Sequence, residues 1–207
     1  MVLRLFRKIR SGQPTEEAAL LQVDENGIRG GIATLPLRQV LLLPASTLER
    51  FDLTAGLLSE NVIVEFDALH DLPSGTVLQI GAAKIRLTFH CEGCDKIRPH
   101  VTPASIAHQR GYLGYFLNEA TIKLGDEVTS LGQQFESIPF NPTARIRWFL
   151  ERNRAPISAK EMLHRIGFSK SYCRVLPKWL EPLSADLKDL VVFSSHAGKG
   201  DASLLVI

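Results

Sequence analysis

The tetrapeptide Pro139-Phe140-Asn141-Pro142 constrains this chain most, because the residue pattern changes across it. Before it lie many short β-branched or apolar runs separated by Gly and Pro turns, with little strong helical pattern. After it, apolar residues recur at helical spacing: Ile146, Phe149 and Leu150 share one face of a segment running to Asn153. Two prolines in four residues between such patterns read as a linker. The charge divides at the same place. Residues 1–142 carry 13 Lys/Arg and 16 Asp/Glu, a net of −3, whereas residues 143–207 carry 11 and 6, a net of +5. The expectation is a β-rich domain over 1–135, a linker over 136–142 and a helix-rich domain over 143–207.

Within the first domain, Ala18–Val23 reads as a strand with a tight turn at Asn26-Gly27. Arg38–Leu43 is a continuous apolar run stopped by Pro44, and Ala45–Phe51 a short helix. Asn61–Phe66 is strand-like, and Thr76–Ile80 and Lys84–Phe89 form a hairpin around Gly81. Short strands with Gly and Pro turns predict a β-barrel or sandwich. In the second domain, Thr143 is placed to cap the first helix, and Ser158-Ala159-Lys160-Glu161 is a capping box opening the next. Gly167 ends that helix, and Lys170–Leu180 is a third, with Pro177 inside it. Leu190–Ser194 and Ser203–Ile207 read as a terminal hairpin. Three helices and a hairpin are the winged helix-turn-helix plan.

No apolar run approaches the ~18 residues of a membrane span, so no membrane partner is expected. The Met1–Arg10 stretch lacks the apolar core of a secretory signal. Three cysteines in a chain of this length make a disulfide framework unlikely in principle, and the expected setting is cytoplasmic, with reduced thiols.

Chemistry concentrates in Phe89-His90-Cys91-Glu92-Gly93-Cys94-Asp95-Lys96-Ile97, at the end of the hairpin. Cys94 stands two residues before Lys96. A neighbouring cation favours thiolate, the form that attacks or binds soft metals. A small buried hydrophobe is the ordinary role of cysteine, and spacing alone does not separate the two. Cys91 and Cys94 also form a Cys-x-x-Cys. No second such pair completes a zinc site, and His90, His100 and His108 have no recognised ligand spacing. His70 and His108 read as solvated loop residues. No Walker loop, nucleophilic serine motif or carboxylate pair is present. In the second domain, residues 143–180 hold nine Lys/Arg against Glu151 and Glu161. Lys170, Ser171, Tyr172, Arg174 and Lys178 would then line a recognition helix facing DNA. A solvated basic face, or one that meets protein, fits the same pattern.

Five stretches in order resemble a MOSC domain (molybdenum-cofactor sulfurase C-terminal domain) over roughly residues 20–130. They are Arg38–Leu43, Ser59–Glu65, Asp71–Gly81, Cys94-Asp95-Lys96-Ile97 and Leu124–Val128. The resemblance implies a barrel-like fold. It implies that Cys94 carries a persulfide sulfur, exchanged with a donor or acceptor protein, or ligates the molybdenum of a molybdopterin cofactor. It also implies that Asn61, Arg38 and Lys96 shape the cofactor pocket. Gly30-Gly31-Ile32-Ala33 stands where the family usually has a Gly-Asp-Arg-type motif. Arg145–Leu150 and Ser169–Pro177 resemble the winged helix of alkylguanine-DNA alkyltransferases, although their Pro-Cys-His-Arg acceptor motif is absent. That likeness implies DNA contact, with Arg174 inserted into the duplex. The alternative expectation is a non-enzymatic DNA-binding or regulatory protein with a degenerate barrel.

Overall fold

The computed structural model describes residues 1–10 and 13–193. The chain divides into two compact units, Met1–Ile138 and a second beginning at Pro139. The first unit runs β1 (Val2–Arg7), β2 (Glu16–Glu17), β3 (Leu20–Asp24), β4 (Gly27–Ile28), β5 (Val40–Pro44), a short helix α1 (Ala45–Arg50) and β6 (Val62–Val64). It continues with β7 (Thr76–Ile80), β8 (Ala83–His90), β9 (Tyr112–Phe116), β10 (Ala120–Lys123) and β11 (Val128–Gln134). Single 3-10 turns occupy Asp67–Asp71 and Asp95–Ile97.

Eight strands form one sheet in the order β11-β7-β8-β9-β5-β6-β1-β2, and β10-β3-β4 form a second. β5 lies inside the larger sheet, antiparallel to β9 and parallel to β6. That position explains its sequence: a strand covered on both faces shows no polar alternation, and all five of its residues are buried. Among the described residues the strand pairings give two sheets and do not show a closed barrel, although Val2 N–H donates to Asp126 O at 2.8 Å and Val2 O accepts from Gly125 N–H at 2.9 Å in the turn before β11. The large sheet ends at two residues, Glu16 and Glu17, on one side and at β11, mostly exposed after Val128, on the other. A charged, very short edge resists further pairing. The Asn26-Gly27 turn forms as the pattern predicts. Asp24 pairs with Gly27 across a two-residue loop, and Gly27 takes φ +119°, open to glycine.

Leu42, Val64, Leu78, Ile85 and Leu87 belong to the main core. A separate cluster of Leu43, Leu58, Ile97 and Ile106 anchors the irregular chain between β8 and β9 onto the sheet. Each such side chain, fully buried, contributes about 1.5–3 kcal/mol.

The second unit contains α2 (Pro142–Arg152), β12 (Ile157–Ser158), α3 (Ala159–Arg165), a 3-10 turn at Lys170–Arg174, α4 (Leu176–Leu180), α5 (Ala185–Lys188) and β13 (Val191–Val192). Asn141, not Thr143, caps α2: its side chain accepts from the Ala144 N–H at 3.1 Å, and Pro142 sits in the first turn, where its missing N–H costs nothing. Ser158 accepts from the Glu161 N–H at 3.2 Å as predicted. The Glu161 carboxylate instead accepts from Arg165, one turn on, at 2.7 Å.

The expected third helix over Lys170–Leu180 is broken in two. Val175 separates the 3-10 turn from α4, and Pro177 opens α4 rather than interrupting a longer helix. A single recognition helix is therefore absent. Of the expected terminal hairpin, Val191–Val192 pairs in parallel with Ile157–Ser158. Ser194 and the Ser203–Ile207 strand lie outside the described residues.

Arg145 is fully buried at the centre of this unit. Its Nε donates to the Pro139 carbonyl at 2.8 Å, Nη1 to Ile166 at 3.2 Å and Nη2 to Phe140 at 2.8 Å. Its guanidinium lies over the Phe168 ring, 4.7 Å from the centroid.

Candidate functional site

The loop after β8 is held at several points. The Cys91 N–H donates to Gly111 O at 2.9 Å, which prolongs the β8–β9 ladder by one step. Gly93 lies against Pro103, and a Cβ at position 93 would stand 2.7 Å from the Pro103 carbonyl oxygen. Cys94 then leads into the 3-10 turn Asp95–Ile97, where the Ile97 N–H donates to Cys94 O at 3.2 Å and the Ile97 side chain is buried.

Arg110, on the irregular stretch entering β9, is buried beneath this loop with 7% exposure. Its Nη1 donates to the Glu92 carbonyl and, at 3.2 Å, to Cys94 Sγ. Nη2 donates to Leu58 O at 3.4 Å, and Nε is buried with no protein partner in the described structure. Lys8, half-buried just past β1, completes a ring of cations with Lys96 and Arg110. Burial first, then these two charges, push its ammonium below its ordinary value, while Cys94 acts the other way. The unusual Gly30-Gly31 pair makes room here. Both glycines abut Arg7 or the Lys8 carbonyl, and Ile32 N–H donates to Lys8 O at 2.8 Å.

The two cysteines differ. Cys94 is half-buried with a guanidinium on its sulfur. Cys91 is buried, and burial pushes its thiol up, against the pull of Arg110 and Arg38. The other residues singled out from the sequence have varied fates. Arg38 forms an ion pair with Glu92 at 2.9 Å, and its Nη2 lies 4.0 Å from Cys91 Sγ. It thus braces the loop. Asn61 is a backbone clip: its Oδ1 accepts from Leu41 N–H at 3.0 Å, and its Nδ2 donates to Phe6 O at 3.3 Å. Lys96 is exposed beside the sulfur's other cations. Lys170, Ser171, Tyr172, Arg174 and Lys178 are all exposed in the second unit, and Tyr172 stacks on Trp179 at 5.5 Å. Arg110 and Lys8 carry no sequence signal of a shared site, since only the fold brings them to Cys94.

His108 is an exposed loop residue as expected, whereas His70 is half-buried, and both lie against His90. His90, at the end of β8, lies between them, with ring centroids 6.0 Å from His70 and 5.4 Å from His108. Burial, then His90, push the His70 imidazole down to about 4. Burial, then His108, hold His90 below its ordinary value, against the hydrogen bond that its Nε2 donates to the His70 carbonyl. A cleft of about 530 Å³ beside them is lined by Ser46, Arg50, Asp67, His70, Asp71 and His108, among others.

No protein-family model matches the sequence, and no curated protein matches it. Among solved structures, the chain is similar to the YUAD protein from Bacillus subtilis, with a TM-score of 0.53 and 14% identity. That likeness covers 66% of this chain and 98% of the other. A hypothetical protein gives a TM-score of 0.52 at 17% identity, covering 86% of this chain and 87% of the other. Both likenesses are of fold. No described helix is long and apolar enough to cross a membrane.

Proposed function

We propose that this chain is a MOSC-type protein whose reactive centre is Cys94, serving sulfur-carrier or molybdenum-cofactor chemistry. The observation that supports it most is the Arg110 guanidinium 3.2 Å from Cys94 Sγ. A fixed N–H donor on sulfur stabilises anionic sulfur, as thiolate or as persulfide. In sulfur transfer, the Cys94 thiolate attacks the terminal sulfur of a donor protein's persulfide. The donor S–S bond breaks, its electron pair leaves on the donor thiolate, and Cys94 keeps the sulfur as a persulfide. Arg110 and the nearby lysines offset the negative charge throughout.

The same residues fit an anionic molybdopterin. Arg110 Nε and Arg7 Nε are buried polar atoms with no partner in the described structure, and the donor set is cationic around one thiol. Cys94 would hold the metal, which when bound supplies the redox chemistry, and Lys8, Lys96 and Arg110 would meet the anionic groups. Arg38 and Asn61 would act by bracing the loop and strands.

The test is intact mass and metal analysis of protein purified from cells that make molybdenum cofactor. A sulfur adduct of roughly +32 Da, lost in Cys94→Ser, supports the carrier reading. Molybdenum with pterin, lost in the same variant, supports the cofactor reading. Protein carrying none of these overturns both.

A second reading, a DNA-binding or regulatory protein, rests on the exposed Lys170, Ser171, Tyr172, Arg174 and Lys178. It predicts DNA affinity that falls with salt at a log–log slope of about −0.9 per phosphate neutralised, unchanged in Cys94→Ser.

A further inference from the structure

We infer that His90 and His108 form an open binding site for a borderline divalent transition-metal ion, such as zinc, cobalt or nickel, at the rim of the cleft beside α1. The site is separate from Cys94 and does not rest on its chemistry.

The two Nδ1 atoms stand 3.4 Å apart. That is the long, weak end of a hydrogen bond between the two rings. The same distance matches two nitrogens on one tetrahedral ion. With a metal–nitrogen distance near 2.0–2.1 Å and a tetrahedral angle, the ligands lie about 3.3–3.4 Å apart.

The lone pair of His90 is already aimed. Its Nε2 is 3.0 Å from the His70 carbonyl oxygen. A carbonyl only accepts, so Nε2 carries the proton and Nδ1 offers the lone pair toward His108. A ligating histidine is commonly held in this way, its far N–H on a backbone carbonyl. The two rings cross at 85°, which lets both nitrogens reach one point without a clash between rings.

His108 takes φ +62°, in the left-handed region where histidine is among the enriched residues.

Among the described residues no three His, Cys, Asp or Glu side chains converge on one point. The site is accordingly a two-nitrogen one, with its remaining positions open. The cleft that His108 lines together with Asp67, Asp71 and Ser46 adjoins the pair. Water or a small oxygen ligand from the cleft completes the coordination. Imidazole nitrogens with open positions select zinc, cobalt, nickel or copper over magnesium and calcium.

The experiment is titration of chelator-treated full-length protein with Co²⁺, followed by its visible d–d bands, and with Zn²⁺, followed by calorimetry. One equivalent is expected to bind. His108→Asn is expected to weaken binding roughly tenfold or more. Asparagine tolerates the left-handed backbone at this position, so the variant keeps the fold, which circular dichroism verifies. Cys94→Ser is expected to bind Co²⁺ like the parent, with no thiolate-to-cobalt charge-transfer band in either. The inference is overturned if the parent binds no metal, if His108→Asn binds as the parent does, or if a thiolate band appears and vanishes in Cys94→Ser.

Discussion

Each unit of this protein buries one arginine, and the two side chains serve opposite ends. Arg145 in the helical unit donates to three backbone carbonyls and lies on an aromatic ring. Its charge is matched by the carbonyl dipoles of Pro139 and Phe140, before α2, and of Ile166, after α3. Arg110 in the sheet unit donates to two carbonyls and then to a sulfur, and keeps one buried N–H with no protein partner in the described structure. A buried guanidinium matched to carbonyls is a structural pin. One that reaches a half-exposed thiol with a donor in reserve is part of a site. Burial alone does not tell them apart, whereas the inventory of donors does.

The largest effect expected from this contrast is at Arg145. Arg145→Met removes a fully buried guanidinium that donates to the Pro139, Phe140 and Ile166 carbonyls, a cost of about 3 kcal/mol or more. Urea unfolding followed by helical circular dichroism checks it. Loss of less than about 1 kcal/mol would reduce Arg145 to the level of a surface residue. Arg110→Met should cost less stability, about 1–2 kcal/mol. It should also slow iodoacetamide alkylation of Cys94 about tenfold, a readout that a purely structural arginine would leave alone.

Acid should separate the units by a different route. His70 has a folded value of about 4 against an ordinary 6.5, so between these pH values the unfolded chain binds more protons than the folded one. Its contribution is intact above pH 6.5 and declines as pH falls toward 4. Allowing for its part-exposed position, the loss is about 1–2 kcal/mol. His70→Gln should flatten that slope in denaturant titrations at stepped pH. The smallest effect belongs to the helical unit's cap: Ser158→Ala should cost about 1 kcal/mol, read in the same unfolding curves.

How much of this was legible in the sequence depends on whether a pattern repeats. β5, β7 and β8 follow from apolar runs and turn glycines, since strand period and turn chemistry are local. The capping role of Ser158 was legible for the same reason, whereas at α2 Asn141 took the position assigned to Thr143. How the sheets close was not legible, because whether β3 and β10 join the main ladder or form their own sheet depends on long-range pairing. The third helix failed at Val175 and Pro177, where a β-branched residue and a proline favour restarting the helix. Cys94 could be singled out from its neighbours, but Arg110 and Lys8 could not. They lie 16 residues after it and 86 before it, in stretches without periodicity. His70 read as solvated because nothing in its neighbours announces the fold that half-buries it against His90, whereas His108 is exposed as read.

The contact of Gly93 with Pro103 has a consequence for inheritance. Every missense change at a glycine codon adds a side chain, and at position 93 the first carbon of any such side chain meets a backbone oxygen and a proline ring at 2.7 and 2.9 Å. No allele of this codon is conservative. Variation in a population should therefore pass through the neighbouring exposed position Asp95 before it is tolerated at Gly93. The spacing between the two cysteines is then kept by the one residue of the loop with no side chain.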